Sequence, residues 1–332
     1  MSTGIVAHAR SDSKTGERLP SLISSSARLV HVGNVLVDIV LHVPRLPLLG
    51  GDVLATASQI RSGAAFNVLV AAARQGLNCA YGGAHGCGVF GDIVRADLRC
   101  AYIDVLLPVK PDIDTGFTIV MVDESGERTF ATSVGAESQI TNDELMALRV
   151  QSGDIVCLSG YGLLPAPRGQ LVMAWLDGLP PDVRVVFDPQ PVVAQIDQTL
   201  VDRILARCDW LSCNAAEAVA LTGASESTIA CERLLASVRG GVVVRIGAGG
   251  CLVAERKATI ERIPAFNVEA VDTNGAGDTH LGVFLAGLCD GLDPRSAARR
   301  GNAAAALSIM RRGPATAPTR EELDAFLAEH GL

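Results

Sequence analysis

Apolar positions along this chain fall into short blocks set apart by glycine, proline and polar clusters, and the blocks are of two kinds. Brief β-branched runs read as buried strands, whereas longer alanine- and leucine-rich stretches without breakers read as helices. Leu29-Val30-His31-Val32-Gly33 predicts a first strand ending at the turn residues Gly33 and Asn34. Residues 39–43 and 53–60 predict further extended segments around a breaker-rich stretch at 44–51. Residues 64–75, closed by Gly76, predict a helix, and 118–122 with 128–130 predict a hairpin turning through Asp123-Glu124-Ser125-Gly126.

Beyond Thr141 the pattern settles into alternation. Strands are expected at 155–158, 184–188, 210–213 and 242–245, and helices at 170–179, 201–208, 215–222, 231–238 and 279–288. Continuous apolar strands alternating with helices predict a three-layer α/β/α fold, its mainly parallel central sheet covered on both faces. Segments 38–60 and 114–135 break the rhythm and predict a small antiparallel sheet projecting from that body. The expected organisation is a leader at 1–27, flexible because its Ser-, Gly- and charge-rich composition cannot offset its ordering entropy, followed by one domain at 28–332.

Composition narrows the function. The 332 residues are 48% hydrophobic and 19% charged, and 28 basic against 36 acidic side chains leave a net charge of −8. Neither a nonspecific nucleic-acid partner nor an anionic membrane surface suits that balance. No apolar run approaches the roughly 18 residues of a spanning helix. The three lysines, Lys14, Lys110 and Lys257, never follow a glycine, which removes a G-K-[ST] phosphate loop. Nine cysteines without a C-x-x-C pair predict reduced thiols in a cytoplasm rather than disulfides or zinc.

The chemistry concentrates at Asp272-Thr273-Asn274-Gly275-Ala276-Gly277-Asp278, where a strand at about 268–271 is expected to feed a glycine-rich turn and a helix starting near Gly277. Small residues at a helix start leave backbone N–H groups free, and the helix dipole adds about half a positive charge there. That is a phosphoryl site without lysine. An acid beside it, Asp278, is out of place electrostatically unless it takes a proton from a substrate hydroxyl.

The D-T-N-G-A-G-D run resembles the C-terminal signature of the ribokinase-like (PfkB) family of carbohydrate and nucleoside kinases. Ser62-Gly63-Ala64-Ala65-Phe66-Asn67 resembles its N-terminal Gly-Gly-x-x-x-Asn signature, with serine at the first glycine. The likeness runs from about Leu29 to Leu327. It implies ATP-dependent phosphorylation of a hydroxymethyl group on a small sugar, with a nucleoside as alternative acceptor and a non-catalytic sensor as the reading from another class. Asp278 would be the general base, and Gly275, Ala276 and Gly277 the anion hole. Asn34, Asp38, Gly63 and Asn67 would meet the substrate. Asn214, Glu217, Arg245, Gly247, Gly250 and Asn302 would meet the nucleotide, Glu217 also holding Mg2+ through water. Arg245 stands where the family has threonine. Asp272, with Asn274, Ser308, Arg311 and Gly313, matches the family's monovalent-cation site, for potassium. The projecting sheet would be a lid and a homodimer contact.

Gly86-Cys87-Gly88-Val89-Phe90-Gly91 spells a dinucleotide-binding G-x-G-x-x-G, with Asp104 downstream. The preceding residues 78–85 do not make a clean apolar strand, so a nicotinamide enzyme is disfavoured. His280, two residues past the base, is expected to pack rather than react.

Overall fold

The computed structural model describes residues 27–332, so the expected leader lies outside the described residues except for Ala27. A nine-stranded sheet runs Glu261–Ile263, Cys251–Glu255, Gly241–Arg245, Trp210–Asn214, Arg184–Asp188, Ile155–Ser159, Arg28–Val32, Asn78–Tyr81 and Asp104–Val105 from edge to edge. Neighbours are parallel except where Cys251–Glu255 pairs with the strands on either side of it. Two buried clusters cover its faces, one around Phe187, Leu176 and Leu200, the other around Leu69, Leu98 and Phe284. Each such side chain contributes roughly 1.5–3 kcal/mol of burial. This is the expected three-layer architecture.

The strands are apolar through their length and turn polar at their carboxyl ends. Ser159 stands opposite Asp188, and Asn214 opposite Arg245. Open α/β sheets bind ligands in the crevice beyond those ends. Helix Ala215–Thr222 starts immediately after Asn214 under a capping box and stops at left-handed Gly223.

Two helices on one face bring distant motifs together. Ala65–Arg74 carries Asn67, and Ala276–Cys289 carries Asp278. They touch at Gly282, where a methyl group would lie 2.4 Å from the carbonyl oxygen of Val68, so only glycine allows this approach. Phe284 anchors the second helix to the sheet, its ring edge-on to Trp210 at 5.0 Å.

The lid is a separate four-stranded sheet in the order Ala57–Ala64, Val35–His42, Phe117–Val122 and Arg128–Ser133. Its central pair is parallel and its outer pairs antiparallel. The lid strands therefore reach further toward the body than expected on the 35–64 side, and residues 43–56 between them form no strand.

Several expectations need correction. No strand leads into the turn at 272–275; residues 264–271 are irregular, and Val271 and Asp272 donate instead to the carbonyl of Ile309, at the end of helix Pro294–Ile309. Asn78–Tyr81 is a strand after all, because three of its four residues are buried beside Arg28–Val32. Strand Cys251–Glu255 and helices Val89–Cys100 and Arg320–Glu329 complete the body without having been foreseen.

Candidate active site

Gly275 caps the helix Ala276–Cys289 with φ of 70°, a left-handed conformation that suits glycine. Among the described residues the N–H groups of Gly275, Gly277 and Asp278 find no acceptor, and that of Ala276 reaches only Thr273 O at 3.4 Å. The anion hole expected from the sequence is therefore a set of unengaged donors at a positive helix end.

Asp278 is held from one side. Asn67 Nδ2 donates to its Oδ2 at 2.9 Å, and the N–H of Ala315 donates to Asn67 Oδ1 at 3.1 Å. A main-chain N–H can only donate and a carboxylate only accept, so these bonds fix the amide orientation. Oδ1 of Asp278 takes no hydrogen bond from the described residues. Burial, and then the charge of Asp188, push the Asp278 carboxyl up to about 6, against the Asn67 bond and Arg245. Asp38 sits within the lid strand Val35–His42 rather than at the end of the first strand, its carboxyl packed against Gly63. Burial, and then Asp278, raise it to about 7. Gly63, Asn67, Asp38 and Asp278 thus converge.

Asn34 is at the same mouth, but Arg168 Nη2 donates to its Oδ1 at 2.7 Å. Arg168 is 5% exposed, and its Nε and Nη1 have no partner.

A second group faces this one across the strand ends. Asn214 Oδ1 accepts from Glu217 N at 2.9 Å, and Glu217 Oε2 from Asn214 N at 2.8 Å. The pair expected to meet nucleotide is thus also a capping box. Arg245 resolves the question posed by its departure from threonine. Its guanidinium lies 3.6 Å from Asp188 Oδ1 and 3.8 Å from Glu217 Oε2, bonds Ser212 Oγ, and lies against Gly277. Burial opposes its charge, but Asp188 and Glu217 hold its pKa above the usual arginine range. Burial, and then Asp188, raise Glu217 to about 6, while burial raises Asp188. Asp188 was missed; the available signal was an acid closing an apolar strand at the ligand-binding end of the sheet.

Magnesium fits here. Asp188 Oδ1 is buried without a hydrogen bond, and Glu217 stands on the neighbouring strand's helix. One or two carboxylates plus substrate phosphates are a common magnesium donor set, with waters completing the shell. Potassium at Asp272 fits poorly. Asp272 already accepts from Asn274 N and Gly313 N, each at 2.9 Å, and pairs with Arg128. Arg311 turns away to Glu322, and Ser308 Oγ donates to Ala305 O.

Asn302 Nδ2 donates to the carbonyls of Ile263 and Pro264 at 3.0 and 3.1 Å. Gly250 packs against the same Ile263 carbonyl, while Gly247 faces open space. Together they shape the loop Gly247–Gly249 beyond Arg245. His280 is 2% exposed with neither ring nitrogen bonded, packs on Gly301, and burial lowers its pKa to about 3.

Unengaged amides at a helix start and a perched carboxylate at the carboxyl ends of a parallel sheet, with a small separate β-sheet, match a phosphoryl-transfer enzyme of the ribokinase fold. The chain belongs to the pfkB family of carbohydrate kinases, whose pattern matches residues 26–321. It is similar to the uncharacterized sugar kinase YegV of Escherichia coli K12, at 33% identity over 92% of this chain and 95% of that one. It is 30% identical to the ribokinase of Haemophilus influenzae over 91% and 98% of the two chains. Thermotoga maritima ribokinase superposes with a TM-score of 0.79 at 27% identity, covering 91% of this chain and 99% of that one. Members of this class move a phosphoryl group onto a sugar hydroxyl.

Proposed function

We propose that this protein transfers the γ-phosphoryl group of ATP to the hydroxymethyl group of a small sugar. The observation that carries the reading is the pairing of unengaged N–H groups at Gly275 and Gly277 with the free Oδ1 of Asp278. The acceptor, held by Asp38, Gly63, Asn34 and Asn67, places its hydroxyl on Asp278 Oδ1. The hydroxyl proton passes to the carboxylate as its oxygen bonds the γ-phosphorus, and the bond to the β-bridging oxygen breaks to release ADP. The N–H groups of Gly275, Ala276 and Gly277 take up charge on the moving phosphoryl, and one such donor contributes about 2.7–4 kcal/mol in comparable oxyanion sites. Arg245, Asn214 and the Gly247–Gly250 loop face the nucleotide phosphates. Asp188 and Glu217 hold magnesium through water, and the ion screens phosphate charge when bound.

Sugar is favoured over nucleoside because the aromatic side chains near the sheet are spent on the core. Tyr81, Trp175 and Trp210 are each at most 5% exposed, which leaves Tyr161, 47% exposed just past the strand end at Ser159, as a ring at this mouth. Asp272 is neutralised from the lid, so potassium has no place in this reading. A second copy covers exposed apolar surface of the lid, with Phe130 on its last strand at 58% exposure, giving a homodimer. The nine cysteines are all free, which suits a reducing cytoplasm; among the described residues no helix is long and apolar enough to cross a membrane.

The test is ADP release across pentoses, hexoses, sugar acids and nucleosides, with Asp278→Asn as control. Turnover with one sugar class and its loss in the variant is the expected result. ATP binding without turnover on any acceptor defeats the reading and leaves the sensor.

A further inference from the structure

Asp272 lies three residues before the helix cap Gly275 and ties together three parts of the molecule. Its Oδ1 accepts from Asn274 N at 2.9 Å, within the turn that presents the anion hole. Its Oδ2 accepts from Gly313 N at 2.9 Å, in the loop whose Ala315 N–H orients Asn67 on Asp278. The third partner is Arg128, whose guanidinium pairs with Oδ1 while its Nη1 donates to Thr273 Oγ1 at 3.3 Å.

Arg128 opens the last lid strand, Arg128–Ser133, and is 144 residues distant in sequence. Both side chains are largely buried, at 19% and 13% exposure, so the pair is shielded from salt far better than a surface ion pair. Two N–H donors and one guanidinium fill the carboxylate. Apart from the Asn274 N–H inside the turn, the polar contacts of this junction run from the lid or the 313–315 loop to the turn at 272–275.

We infer that Arg128 is a positioning residue for phosphoryl transfer: its guanidinium neutralises Asp272, latches the lid to the anion-hole turn, and makes turnover independent of any added monovalent cation. The inference rests on the kinase reading above but concerns a residue outside the substrate and nucleotide groups. Removing the guanidinium leaves a half-buried carboxylate with a vacant side, which a weakly hydrated monovalent cation can fill. Dependence on such a cation is thus what the substitution creates.

The experiment compares the wild type with Arg128→Gln and Arg128→Lys in choline chloride and in potassium chloride at equal ionic strength. Two signals are followed: ADP release with D-ribose as the probe acceptor, and hydrogen exchange of the amides at 272–277. Wild-type turnover is expected to be the same in both salts. Arg128→Gln in choline loses roughly 10–100-fold in kcat, the scale of a misplaced reacting group, with little change in KM for ATP. Within 272–277 the bonded amides of Asp272 and Asn274 exchange faster, and potassium restores both signals; Arg128→Lys keeps most of the rate. A wild type that itself requires potassium overturns the inference, and so does an Arg128→Gln variant with wild-type exchange at 272–277. Absence of ADP from D-ribose in the wild type counts against that acceptor, while the exchange comparison still decides the role of Arg128.

Discussion

Among the described residues two helices begin on a glycine with positive φ, Val89–Cys100 after Gly88 and Ala276–Cys289 after Gly275. Both start beside glycine-rich stretches, and by spelling alone the first is nearer to a nucleotide-binding fingerprint. Their amides meet different ends. At the first, the Asp114 carboxylate accepts from Phe90 N at 3.1 Å and Gly91 N at 2.7 Å, and it also accepts from Thr115 N. At the second, the amides are unengaged and the local acid, Asp278, is drawn aside by Asn67. A helix start becomes an anion site when the protein declines to supply its own anion. That property belongs to the tertiary structure, and glycine content does not report it.

The sharpest way to break the comparison is to neutralise the acid at the open terminus. Asp278→Asn keeps the shape and the bond from Asn67, so ATP and ADP affinity should change little. Turnover should fall by about 10²–10⁴-fold, the usual contribution of a positioned base. Steady-state kinetics with ADP titration by calorimetry separates the two; near-normal kcat in the variant would remove Asp278 from the chemistry.

The second test uses pH. Only the ionised carboxyl accepts a proton, and burial sets Asp278 near 6, so kcat/KM should decline by about tenfold per pH unit below that value. Stability runs the other way. The folded protein holds this carboxyl's proton more tightly than the unfolded chain, whose aspartates ionise in the usual range near pH 4. That stabilisation is complete below the unfolded value and is lost as the pH rises through about 6. Asp38, raised to about 7 by burial and by Asp278, adds the same trend up to that pH. Asp278→Asn should therefore raise the melting temperature by about 2–6 °C at pH 8 and by almost nothing at pH 4. An equal shift at both pH values would mean that the carboxylate carries no burial penalty.

What the sequence could reveal divides along the same line. Asp278 and its glycines are contiguous, and the alternation after Thr141 is carried by short-range apolar periodicity, so both were legible. Arg128 on Asp272, Asp114 on Phe90 and Gly91, and Arg245 between Asp188 and Glu217 join residues from separate elements. Nothing local marks such a partner. Strand Asn78–Tyr81 was hidden for a related reason: Asn78 and Cys79 break the apolar run, and burial beside Arg28–Val32 supplies what β-propensity does not. The irregular stretch before the catalytic turn is the converse case. The apolar Val268, Ala270 and Val271 look strand-like, but Val271 is 52% exposed and its N–H goes to the end of a helix.

The smallest effect should come from the filled terminus, and it should be confined to stability. Asp114→Ala strips the acceptor from Phe90 N, Gly91 N and Thr115 N, leaving partly buried donors without a partner. A lost helix cap costs about 0.5–2 kcal/mol. For a protein of this size that is a fall in melting temperature of about 1–3 °C. The freed amides regain a positive end but face no acceptor site and no base, so kcat per folded molecule should stay at the wild-type value. If Asp114→Ala instead lowered kcat as Asp278→Asn does, the glycine run at 86–91 would belong to the reaction, and the contrast between the two helix starts would fail.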